Sequence, residues 1–327
     1  MKMLKFSLVS TSIYAQQKGK CPFGFDSSDS QRGPENLCGN DVNTCFNSSD
    51  TVTAADFSQE DYKRVAKSIR DLYEEVSDDV RPNHNPRGKF VACLVRTAGH
   101  DFMDFRKGAG RGGSDGCINF DDPDNAGISR CLTEFRIPSA YECMSDRVSV
   151  ADFLVIAAEV AASRIANSHN SEDFFAEGTL AKTFLDGFKF GRRTTKDCDW
   201  NVGLMPDPQN SCGFDAGSTI GLKQIFAENI YAGHKNPWSL IAAISGAHTV
   251  GGASVQASGF QGTWSDLAQS GTFDNSYFKG IMLGGWKPEL NVSVKRGVTK
   301  NQWKISDKTR DDPHRRFMLD SDLCLAY

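Results

Sequence analysis

Leu94-Val95-Arg96-Thr97-Ala98-Gly99-His100-Asp101 places a cation and an imidazole inside an apolar run. Arg96 and His100 are four residues apart, so on a helix they share one face. The surrounding segment, Phe90 to Phe105, is mostly apolar and reads as a buried helix. Two such groups looking into a buried space cost desolvation unless something there uses them. The residues leave two readings open. One is a helix end with an arginine ion pair and a satisfied core histidine. The other is a reactive pair.

A second stretch poses the same question. Leu240-Ile241-Ala242-Ala243-Ile244-Ser245-Gly246-Ala247-His248-Thr249-Val250-Gly251 ends an apolar helix in a histidine set among small residues. Small neighbours let a large planar group approach closely, and a neutral imidazole there is a candidate haem ligand. A histidine favoured by the helix C-terminal dipole is the plainer reading.

Outward from these stretches, the expected elements are mostly helical. A helix starts near Asp56 or Ser58, with Phe57, Tyr62, Val65, Ile69, Leu72, Tyr73 and Val76 at helical spacing. Val148 to Ile165 is a long apolar helix, expected to be central. Phe174 to Phe188, Ile220 to Tyr231, Trp238 to Ala247 and Asn275 to Leu283 are further helices. Residues 106–125 form a loop rich in Gly and Asp. Strands are scarce, with Leu290 to Val294 as a short candidate.

Composition narrows the function classes. Of 327 residues, 39% are hydrophobic and 24% charged, which is globular rather than disordered. The net charge is −4, from 41 acidic and 37 basic residues, and no basic tract points to nucleic acid. No apolar stretch is long enough to span a membrane. There are 10 cysteines and no CxxC, which argues against zinc clusters and for cystines in an oxidising compartment. Their pairing cannot be read from spacing. Residues 1–15 read as a signal peptide, and 16–55 as a cysteine-containing extension. Asn47-Ser48-Ser49 and Asn291-Val292-Ser293 are glycosylation sequons. The expected location is therefore outside the cell or in an endomembrane or vacuolar lumen.

Arg96 and His100 suit one chemistry well. Heterolysis of a peroxide on iron needs a base to move a proton between the oxygens, and a fixed positive charge for the oxygen that leaves. Asp122-Pro123-Asp124-Asn125-Ala126-Gly127-Ile128 offers a carboxamide that can orient such a histidine.

In order along the chain, the Arg96/His100 helix, the Asn125 loop, Val148-Ser149-Val150-Ala151-Asp152-Phe153 and the turn carrying His248 resemble the haem peroxidases of the plant, fungal and bacterial superfamily. The likeness resumes at Gly259-Phe260-Gln261-Gly262-Thr263-Trp264 and Phe273-Asp274-Asn275-Ser276-Tyr277-Phe278. It is greatest toward the cytochrome c peroxidase and ascorbate peroxidase branch and covers roughly residues 56–325, a catalytic domain taken here as 56–327. The resemblance implies a mostly α, two-lobed fold with haem b between distal and proximal helices. It implies that Arg96 and His100 cleave hydrogen peroxide, that Asn125 bonds the distal histidine, and that His248 is the axial iron ligand. Leu319-Asp320-Ser321-Asp322 resembles the motif whose carboxylate bonds that ligand. Asp322 fits best, and Asp320 is the next candidate. Trp264, 16 residues after His248, matches the tryptophan stacked beside the proximal histidine.

The same resemblance implies cation sites: a proximal potassium or calcium at Thr249, Ser265 and Asp274, and a distal calcium at Asp101, Gly113 and Asp115. Cys117 stands where the distal site would have a hydroxyl ligand, and a thiol is a poor ligand for a hard cation. Gly99 replaces the usual distal aromatic residue, so the pocket is expected to be more open. Ala257 replaces the arginine with which ascorbate peroxidases hold ascorbate. Relatives usually continue further past the position of Asp322, so an incomplete or shortened C-terminus is expected. The expected activity is reduction of hydrogen peroxide with small phenolic or other organic one-electron donors. A redox protein delivering electrons through Trp264 is a further candidate donor. The alternative is a non-catalytic haem-binding or interaction protein on the same scaffold.

Overall fold

The computed structural model describes residues 57–81, 85–166, 173–195, 198, 203–209, 221–295, 297–305 and 316–326. The expected signal peptide, the 16–55 extension and the Asn47 sequon lie outside the described residues.

Helix α1 (Gln59–Glu75) starts where its cap allows. The Ser58 hydroxyl accepts from the Asp61 amide, and the Asp61 carboxylate accepts from the Ser58 amide. That reciprocal pair satisfies two helix-end donors. Helix α2 (Pro86–Met103) begins on Asn85, whose side chain accepts from the Gly88 amide, with Pro86 at its first position. After the short helices α3 (Ile128–Glu134) and α4 (Ile137–Glu142) comes α5 (Val150–Ile165), capped by Ser149. It packs against both α1 and α2. Its apolar residues surround the axis because Phe153, Leu154, Ile156, Ala157 and Val160 all enter the main core. Tyr141 meets Phe153 edge-on at 5.2 Å.

The proximal half is assembled from smaller apolar clusters. Helix α6 (Leu180–Gly187) is shorter than the Phe174–Phe188 expectation, because Thr179 caps it and accepts from the Lys182 amide. The Ile220–Tyr231 expectation is realised as a π-helix over Lys223–Ile230; the Tyr231 amide reaches back five residues to the Phe226 carbonyl at 2.7 Å. Helix α7 (Pro237–Ser245) runs into a 3₁₀ turn, Gly246–Thr249, that carries His248. Helix α8 (Ser276–Leu283) and α9 (Asp320–Leu323) complete this side.

Strand content exceeds the sequence expectation. β1 (Gly252–Ala253) pairs with β2 (Gly262–Thr263). A long hairpin, β3 (Trp286–Lys295) and β4 (Val298–Ile305), adds β5 (Phe317–Met318) at its edge, all antiparallel. Leu290 to Val294 is only part of β3. The hairpin was hard to read because cross-strand partners Glu289 and Gln302 point inward, and both are buried. Gln302 donates to Glu289 and to the Gln261 carbonyl, and accepts from the Gln261 amide. Polar groups at inward positions erase the apolar alternation by which strands are recognised.

Two cystines staple the described residues, Cys93–Cys131 and Cys117–Cys198, and Cys143 is also disulfide-bonded. Among the described residues no helix is long and apolar enough to cross a membrane.

Phe153 is fully buried on α5, with its ring against Tyr141 of α4. Phe153→Ala is expected to lower unfolding stability by about 3–5 kcal/mol, the usual range for deleting a core aromatic ring. Denaturant titration of the two proteins measures it.

Candidate active site

The inner face of α2 is packed by Phe90, Val91, Leu94 and Thr97, which leaves Arg96 and His100 on the face toward the cleft. The Asn125 side chain donates from Nδ2 to the Asn119 carbonyl at 2.8 Å. Its Oδ1 is therefore the acceptor that faces His100 Nδ1 at 2.9 Å. This fixes the proton on Nδ1 and turns the Nε2 lone pair into the cleft. Asn125 is held in turn by a 3₁₀ turn, Pro123–Asn125, capped by the buried Asp122. Arg96 donates to the Ala126 carbonyl at 2.9 Å and to the Asp124 carbonyl at 3.1 Å, so the same loop positions both groups.

Burial lowers the His100 pKa to about 3, and the Arg96 charge pushes the same way; the bond to Asn125 opposes them. The smallest lowering comes from the nearby His248. Burial also brings Arg96 down to about 10, with Asp124 opposing. The distal face thus offers an uncharged base beside a cation. An added Cβ at Gly99 would meet no atom within 4 Å, so this face is open at that position.

The proximal turn approaches α2 closely. Gly251 has φ +75°, and a Cβ there would overlap that of Ala92. Only glycine meets both demands at no cost. His248 Nδ1 donates to Asp322 Oδ1 at 2.7 Å. The imidazole is 38% exposed while the carboxylate is 2% exposed, so the ring presents its Nε2 side to the cleft. Trp264 stacks on the ring at 4.1 Å between centroids and 14° between planes. Its indole donates to Asp322 Oδ2 at 2.7 Å. The Leu319 amide donates to the same oxygen, and the Tyr277 hydroxyl donates to Oδ1, each at 2.8 Å. Burial alone would raise the Asp322 pKa. The charge and hydrogen bond of His248, with the Leu319 and Tyr277 donors, outweigh it and hold the carboxyl below its ordinary value.

These residues fit a haem. A buried carboxylate fixes one nitrogen of His248 and leaves the other for iron, the arrangement that makes an imidazole ligand more basic. His100, with Arg96 four residues before it on α2, lies within electrostatic reach of His248. Tyr277, in the Phe273–Phe278 motif, gains a role from its bond to Asp322.

Thr249, Ser265 and Asp274 come together. Thr249 Oγ1 donates to Asp274 at 3.0 Å, and Ser265 Oγ donates to the Thr249 carbonyl at 2.8 Å. Asp101 and Asp115 of the distal calcium set also lie near one another. Cys117 is bonded to Cys198, so the missing hydroxyl ligand is replaced by a covalent tie. Asp101 accepts from the Gly116 amide, while its other oxygen is buried without a hydrogen bond. Burial, then the neighbouring Asp115, pushes the Asp101 pKa well up. Gly113 donates its amide to Asp104. Among the described residues no three His, Cys, Asp or Glu side chains converge to hold a metal ion.

The profile of the peroxidase family matches residues 76–327. The chain belongs to that family. It is similar to the probable L-ascorbate peroxidase 4, peroxisomal, of Oryza sativa subsp. japonica, at 26% identity over 212 residues. The alignment covers 64% of this chain and 61% of that protein, so the chain spans about three fifths of that relative's length.

Asp322→Asn replaces the buried anion with a weaker acceptor. The haem-loaded variant is expected to show a higher iron reduction potential than the parent, because the imidazole becomes less basic. Spectroelectrochemical titration measures it, and an equal or lower potential contradicts the role of this carboxylate.

Proposed function

We propose that the protein is a haem b peroxidase that reduces hydrogen peroxide to water and oxidises one-electron donors, chiefly small phenols or similar organic reductants. The observation that carries the proposal is the unlike pairing of the two histidines across one cleft. His100 is tied to a neutral carboxamide and stays a free base. His248 is tied to an anion and becomes a strong ligand. A non-catalytic haem carrier would need the second arrangement and not the first.

When bound, haem supplies the iron that binds peroxide and accepts its oxidising equivalents. The protein supplies the rest. The His100 Nε2 lone pair takes a proton from one peroxide oxygen and returns it to the other. Arg96 holds positive charge toward the oxygen that leaves, anchored by the Ala126 and Asp124 carbonyls. Asn125 keeps the histidine in the tautomer this transfer requires. Trp264 and Asp322 support His248 from behind. A proximal potassium or calcium at Thr249, Ser265 and Asp274 belongs to this reading. The bonded cysteines and the exposed Asn291 of the second sequon favour a secreted or endomembrane-lumen protein.

The segment after His248 supports this choice of donor. Ala257 packs so closely on Gly127 that a Cβ on the latter would lie 2.8 Å from the alanine Cβ. Two lysines reach this segment, but Lys295 donates to the Gln256 carbonyl and Lys300 lies 5.5 Å over the Phe260 ring. An anion held at a fixed site needs a cation or several donors to replace its water.

His100→Leu is expected to slow the reaction with peroxide by about 10²–10⁴-fold, the worth of general acid–base catalysis, while haem stays bound. Stopped-flow absorbance measures it; unchanged peroxide reactivity in the folded, haem-loaded variant contradicts the distal assignment. In a donor titration at fixed peroxide, ascorbate is expected to be a poor, non-saturating reductant, with guaiacol-type phenols better. Tight, saturable ascorbate turnover exceeding that with phenols overturns the reading of Ala257.

A further inference from the structure

Two tryptophans donate their indole N–H to carboxylates of the same four-residue helix. Trp264 donates to Asp322 at 2.7 Å, and Trp303, on β4, donates to Asp320 at 2.6 Å. Trp264 stacks on His248. Trp303 is partly exposed on the hairpin. Both rings pack on one apolar cluster, formed by Tyr277, Ile281, Met318 and Leu323. Trp303 is the cross-strand partner of Met318. The Met318 methyl reaches to 3.2 Å from a Cβ built at Gly280, and the Trp264 carbonyl lies 3.7 Å from the same point. An oxidisable ring at the surface is thus joined to the ring behind His248 through one apolar cluster of packed side chains.

A short bond from an indole N–H to a carboxylate is charge-assisted, and it favours a positively charged ring. It lowers the cost of removing an electron and gives the N–H proton somewhere to be shared. Trp286 is a built-in comparison. It packs on the same cluster and is also partly exposed, but its indole donates to the uncharged Gly280 carbonyl at 3.0 Å.

We propose that Trp303 is a second donor-oxidation site, at the protein surface, for electron-rich aromatic donors too large to enter the haem cleft. The inference rests on the peroxidase reading and deepens it. Oxidising equivalents come from hydrogen peroxide at the haem. Trp303 passes one electron inward by way of Trp264, and its N–H proton is shared with Asp320. A phenol at the surface then gives up one electron and one proton. The electron restores Trp303, and the phenol leaves as a phenoxyl radical. Two phenols are oxidised for each peroxide reduced to two waters, so electrons and protons balance. Asp320 is a positioning residue that acts through Trp303.

The test uses the haem-loaded full chain and two donors, free guaiacol and the same phenol grafted on dextran. The ratio of grafted to free turnover is expected to fall about tenfold or more in Trp303→Phe. Asp320→Asn is expected to lower it in the same direction, and Trp303→Tyr, which keeps an oxidisable ring, to recover part of it. Peroxide added without donor is expected to leave oxidation on Trp303 well above that on Trp286, read by peptide mass spectrometry. An unchanged ratio in folded Trp303→Phe, or equal oxidation of the two tryptophans, overturns the site while leaving the peroxidase reading intact. No guaiacol turnover by the parent protein overturns both. If Trp303→Phe does not fold, the peptide map of the parent decides.

Discussion

A single buried carboxylate carries the proximal half of the site. Asp322 is 2% exposed and accepts from an imidazole, an indole, a phenol and a backbone amide. A carboxylate so placed is costly to bury unless its lone pairs are filled, and here four donors fill them. Each donor comes from a different element: the turn after α7, β2's continuation, α8 and the start of α9. The helix that bears Asp322 therefore pins the orientation of His248 and gathers the surrounding chain. The sharing also makes the site interdependent, because removing one donor leaves a buried charge less well compensated.

The distal side solves the opposite problem. A base must remain uncharged in a closed space beside a permanent cation. Burial and Arg96 both disfavour protonation of His100, and the neutral amide of Asn125 directs the ring without supplying charge. One loop, residues 122–127, holds Asn125 and receives Arg96, so base and cation are placed by a common support. The two halves thus differ in a single chemical choice, carboxamide against carboxylate, behind two otherwise similar imidazoles.

Much of this was legible in the sequence where a polar residue interrupts an apolar helix. Arg96, His100 and His248 stand out in that way, and the motif at the end of the chain favours Asp322 over Asp320. The bonds that give Tyr277 and Trp303 their place join residues 45 and 17 positions from their acceptors, and no local pattern records them. The hairpin escaped notice because Glu289 and Gln302 fill inward positions that alternation would give to apolar residues. Cys117 reads as a defective metal ligand; its bond to Cys198 is a covalent tie on the Gly/Asp-rich loop. The π-helix at Lys223–Ile230 is indistinguishable from an α-helix in the sequence, because its 8 residues make too few turns for the two periods to diverge.

The proposed function requires His248 to hold the haem iron. Resonance Raman spectroscopy of the ferrous, haem-loaded protein tests this directly through the iron–imidazole stretch. The stretch is expected in the parent protein, absent from His248→Ala, and restored to that variant by added imidazole. An identical stretch in His248→Ala without imidazole, or haem bound by the parent with no such band, would contradict it.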